Sequence, residues 1–171
     1  MRAAYRSAME ALYVVCMTIA GVALVIMTLV IPYGVFMRYV VNSASSWPEP
    51  LSVLMMIVFT FIGGAACLRA NVHIAVRIFA DALPVRLQIW ANWLVTVLLI
   101  MLSVFMIVYG IRLAHTTWFQ VMAEFTNVVV GVAYLPVPTG GLLTLLFIIE
   151  QIWLGSPGEE SVMHREPISS N

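Results

Sequence analysis

From Ala11 to Met37 the chain runs twenty-seven residues without a charge, and few folds accept such a run. As a helix, at about 1.5 Å per residue, it reaches about 40 Å, more than the ~30 Å hydrocarbon core of a bilayer. A signal-peptide core is only about 7–15 residues long and ends at a small-residue cleavage site. The run therefore reads as a retained first span over about 11–40, tilted or projecting beyond the lipid, with Pro32 placed to kink its far end. Three further charge-free runs follow: Leu51–Leu68, Leu87–Ile111 and Phe125–Ile149. They predict spans at about 49–69, 86–112 and 136–154.

Composition agrees. Of 171 residues, 63% are hydrophobic and 9% charged, against roughly a quarter charged in a soluble domain. Lipid must be the main solvent. The net charge is zero, with eight basic residues, all arginine. No basic patch invites a nucleic acid. Cys16 and Cys67 sit inside apolar runs without metal or redox spacing, and read as small hydrophobes in helix interfaces.

The segments between spans carry the remaining information. Arg38 ends the first run, and Asn42 to Ser46 forms a polar turn. Ser46 and Glu49 have the spacing of a capping box, which would satisfy the first turn of the second span; alternatively that helix starts at Pro50, with Glu49 just before it. Glu49 could also pair with Arg38 or with another chain. The second run ends in Gly63-Gly64-Ala65-Ala66, small residues that admit a second backbone, whether from this chain or a partner. Beyond Arg69, the residues Val72, Val76, Phe79 and Leu83 share one helical face, and His73, Arg77 and Asp81 another. This predicts an amphipathic helix over about 71–83, lying in the interface. The last run is broken by Tyr134-Leu135-Pro136-Val137-Pro138-Thr139-Gly140-Gly141, so its continuous helix should start near Pro136 or Pro138.

With four spans, both termini share one side. That side carries Arg2, Arg6, Arg69, Arg77, Arg86 and Arg165, and the other carries Arg38 and Arg112. The positive-inside rule puts the termini in the cytoplasm. The expected architecture is thus an all-α integral membrane protein. It has one four-helix membrane domain over 1–155, an interfacial amphipathic helix, and a disordered cytoplasmic tail at 156–171.

No ionisable residue lies in the middle of a run, where function would demand one. Glu150 falls near the end of the fourth span, where an interfacial carboxylate is tolerable. His73 and His115 lie on opposite sides, so they cannot ligate one haem. No zinc spacing, phosphate loop or nucleophile motif appears. Neither a cofactor nor an enzymatic activity is expected. The Pro-Gly break resembles half of a transporter site, but such sites need two broken elements at the midplane. An irregular helix start is the simpler account.

The order of motifs resembles a known family. Arg38-Tyr39-Val40, Ser46-Trp47-x-Glu49, Gly63-Gly64-Ala65, Arg69-x-x-x-His73-Ile74-x-Val76, Leu83-Pro84 and Tyr134-Leu135-Pro136-Val137-Pro138-x-Gly140 are similar to the DctQ-like small membrane subunit of tripartite ATP-independent periplasmic (TRAP) transporters. The likeness covers about residues 8 to 155. The pattern departs at Pro50 and Arg77, where acidic residues are usual. The resemblance implies a bacterial inner-membrane transporter of organic anions, of the carboxylate class and coupled to sodium. It implies a large multi-span permease subunit that holds the substrate and ion sites, and a periplasmic substrate-binding protein reached through the complex. The small subunit then serves as a scaffold, with Arg38, Trp47, Glu49, Gly63, Gly64, Arg69, His73 and Pro138 as partner-interface or structural candidates. The alternative is a self-contained four-span protein, either a homo-oligomeric channel or a membrane enzyme.

Overall fold

A computed structural model describes residues 2–43, 45–70, 85–122 and 129–154. The helix expected at 71–83, with His73, and the tail expected at 156–171 lie outside the described residues. The elements are α1 (Arg2–Tyr39), α2 (Pro48–Arg69), α3 (Val85–Thr116), the short α4 (Val130–Tyr134) and α5 (Pro136–Leu154). Four stretches are long and apolar enough to cross a membrane: Tyr5–Tyr39, Pro48–Arg69, Trp90–Thr116 and Val130–Trp153.

α1 packs on α2, α2 on α5, and α5 on α3, so the long helices form a row with α1 and α3 at its ends. What is buried in the row is mostly small: Cys16, Ala20 and Ala23 from α1, and Ala65 and Ala66 from α2. In lipid there is little hydrophobic drive between helices, so close backbone approach supplies the packing energy. Large apolar residues point outward instead, as Leu29 and Met101 do, with 68% and 64% of their surface exposed.

α5 sits between α2 and α3 because two adjacent glycines clear both sides. A Cβ on Gly140 would lie 2.8 Å from the Phe61 carbonyl oxygen of α2. One on Gly141 would lie 2.9 Å from Met106 Cβ of α3. Hydroxyls inside the row satisfy themselves locally: Ser52 donates to the Pro48 carbonyl at 2.7 Å and Ser103 to that of Leu99 at 2.8 Å. A hydroxyl left without a partner in hydrocarbon would be costly.

Several boundaries differ from those expected. α1 starts at Arg2, runs through Pro32, and at 38 residues extends about 57 Å. α3 continues past Arg112 to Thr116, where the buried Ala114 packs under Gly131 of α4. α2 begins at Pro48, with Trp47 at the N-cap position and no side-chain cap bond. The capping box therefore does not form. A start at Pro48 makes Glu49 the second helical residue, not the third that reciprocal capping requires. A start at Pro50 is likewise excluded. α5 begins at Pro136, as the proline run predicts, and only Leu135 separates it from α4.

Candidate functional site

The helices of the row differ between their two tips. At the end holding the α1 N-terminus, Arg69, the last residue of α2, meets Glu150 of α5. Nε lies 2.7 Å from Oε2 and Nη2 lies 2.8 Å from Oε1, a bidentate fork. Both residues are buried, Glu150 with 1% of its surface exposed. The guanidinium carbon also lies 5.2 Å from the ring centre of Tyr13 on α1 and 5.6 Å from that of Phe147 on α5. Cation–π attraction acts within about 6 Å, so one side chain ties three helices together.

Two local features prepare this site. A cation in the last turn of α2 suits the negative end of the helix dipole. One residue past Glu150, Gln151 Nε2 donates to the Leu68 carbonyl at 3.2 Å, filling an acceptor that the helix end leaves open. Cys16, Ala65, Ala66 and Phe147 form a packed apolar cluster, with Tyr13, Ile62 and Leu143 against it. The tolerable interfacial carboxylate expected at Glu150 is instead a fully enclosed ion-pair member. Arg69 is engaged within the chain.

The turn end carries the remaining candidates. Trp47 stacks on Tyr33 of α1, with ring centres 5.5 Å apart and planes tilted by 35°. Asn42 reverses the chain there in the left-handed region, at φ 56°, which asparagine tolerates. Arg38 and Glu49 are both exposed, and neither forms an ion pair among the described residues. Pro138 is buried against Gly110 of α3, where an added Cβ would lie 2.8 Å from the proline ring. Gly63 and Gly64 part company. Gly63 is buried on α1, its would-be Cβ 3.3 Å from that of Ala20, whereas Gly64 is exposed with nothing within 4 Å.

Glu150 was the residue that sequence reading undervalued. A signal existed: Arg69 and Glu150 lie near the ends of two spans that share a side, a pairing available before any packing is known. Among the described residues, every buried side-chain nitrogen and oxygen has a hydrogen-bond partner. No three His, Cys, Asp or Glu gather there to hold a metal ion. This chemistry holds helices together and leaves the pair's donors and acceptors engaged.

These features define a multi-pass helical membrane protein whose buried charges neutralise one another. The DctQ component of tripartite ATP-independent periplasmic transporters matches residues 27–157, and the chain belongs to that family. It is accordingly the small permease component of a TRAP transporter. No curated protein matches the chain.

Proposed function

We propose that this subunit is the scaffold of a sodium-coupled transporter for organic anions of the carboxylate class, in a bacterial inner membrane, with both termini in the cytoplasm. It braces a large multi-span permease that holds the substrate and ion sites, and reaches a periplasmic binding protein through the complex.

The observation that carries this reading is the Arg69–Glu150 pair. A transport site in lipid needs an ionisable or backbone group that can exchange partners with its cargo. Here the two buried charged residues of the described helices hold each other in a two-bond fork. Burying such a pair repays its desolvation cost only with good geometry, and a group held so firmly is poorly suited to releasing an ion. Rigidity suits a brace.

Reconstitution tests the proposal. The chain alone in proteoliposomes should show no uptake of carboxylates in the presence of a sodium gradient and the binding protein. Adding the large permease should restore it. Uptake by the lone chain would refute the scaffold role.

A further inference from the structure

Beside the turn that joins α1 to α2, a groove of about 750 Å³ opens along the seam between them. Its α1 wall is Met27, Ile31, Val35 and Arg38, steps of four, four and three along one helical face. Its α2 wall runs from Glu49 through Val53 to Met56, again one face. Polarity is graded along it. Arg38, Glu49 and Ser46 stand at the turn, and the opposite end is apolar. From Met27 to Arg38 is eleven residues, roughly 16 Å of helix. That is about half of a ~30 Å hydrocarbon core, the depth of one leaflet.

The charges name the occupant. Arg38 and Glu49 line the same groove, are exposed, and have no ion-pair partner among the described residues. A ligand that satisfies both must bring an anion and a cation together on an apolar chain one leaflet long. We infer that this groove binds one amine-bearing zwitterionic phospholipid. Its phosphate rests on the Arg38 guanidinium, its ammonium on the Glu49 carboxylate, and an acyl chain over Ile31, Val35, Val53 and Met56. Guanidinium matches phosphate with paired donors, and methionine adapts to irregular apolar surfaces. A helix of the permease is the competing occupant. The lipid site does not depend on the scaffold role.

Native mass spectrometry of the delipidated full-length chain tests it. Phosphatidylethanolamine and phosphatidylglycerol with identical acyl chains are the probes. The wild type should retain one phosphatidylethanolamine, at least fivefold more than phosphatidylglycerol. Arg38→Ala and Glu49→Gln should each lower phosphatidylethanolamine retention at least fivefold, while Glu49→Gln spares phosphatidylglycerol. Val35→Trp fills the groove without touching either charge, and should abolish selective retention even if Arg38→Ala fails to fold. Equal retention of the two lipids by the wild type, or unchanged selectivity in Val35→Trp, would overturn the assignment. In the assembled transporter, a photoactivatable phosphatidylethanolamine should label the Ile31–Arg38 stretch. Crosslinking of a cysteine at residue 35 to the permease in place of that lipid would give the groove to the protein and refute the lipid site.

Discussion

At the scale of single residues, Arg69 and Glu150 are worth more to each other than to the fold. Removing one member of a buried ion pair leaves the other charge uncompensated in a low dielectric, at a cost of about 3–5 kcal/mol. Replacing both by apolar residues of similar size removes the desolvation cost along with the attraction, and is often neutral. Arg69→Met and Glu150→Gln should each destabilise the chain by about 3–5 kcal/mol, read from denaturant unfolding in micelles. Arg69→Met combined with Glu150→Leu should return to within about 1 kcal/mol of the parent, a non-additivity expected of residues in direct contact. If each single substitution cost no more than an exposed pair, about 0–1 kcal/mol, the fork seen between α2 and α5 would not hold in the membrane. Tyr13 and Phe147, each near the guanidinium, lose their cation in Arg69→Met and in the double variant.

At the scale of helices, small residues set who packs against whom, and the two glycines of α2 separate internal from external packing. Gly63→Leu drives a side chain into Ala20 and should destabilise the α1–α2 pair by about 1–3 kcal/mol. Gly64→Leu meets open space, so chain stability should change by no more than about 0.5 kcal/mol. If the open glycine is where the permease backbone approaches, Gly64→Leu should instead cut co-purification with the permease about tenfold. Pull-down yield and unfolding midpoint, measured on both variants, separate the two effects. Gly140→Ala should disturb α5 as strongly as Gly63→Leu disturbs α1, since its Cβ would strike the Phe61 backbone. The sequence announced these helices well. Charge-free runs located all four spans, and the proline run narrowed the start of α5 to Pro136 or Pro138, of which Pro136 is the one used. It did not announce which glycine faces inward, because residues 63 and 64 differ only by a 100° turn about the helix axis. That angle acquires meaning once α1 is docked. The start of α2 eluded reading for a similar reason. Ser46 and Glu49 fit a capping box, but Pro48 suits the first helical position and moves Glu49 one place too early. The Arg69–Glu150 contact joins residues 81 apart in sequence, and no local pattern reports on it.

At the scale of the whole molecule, the helices carry different chemistry at their two tips, and each tip bears on a prediction. The first concerns orientation. In a variant without Cys16 and Cys67, a cysteine replacing Gln120, at the α3–α4 end, should react with a membrane-impermeant thiol reagent in intact spheroplasts. One replacing Ser7 on α1 should react only after permeabilisation; the reverse pattern would invert the topology drawn from arginine placement. The second concerns transport. If the subunit only braces the permease, its buried charges are dispensable for moving cargo once the fold is stable without them. The Arg69→Met, Glu150→Leu double variant should meet that condition, because it removes both charged residues buried in the described helices while keeping the volume between α1, α2 and α5 filled. Uptake in proteoliposomes, normalised to assembled complex, should then show the parent's dependence on substrate and on sodium concentration, each half-saturation constant within about twofold. A single variant would confound this reading, since about 3–5 kcal/mol of lost stability lowers the amount of complex. The double variant separates folding from transport. A complex that assembles normally yet needs tenfold more sodium would place the Arg69–Glu150 pair in the coupling machinery, and the subunit would then have to be counted among the parts that move charge.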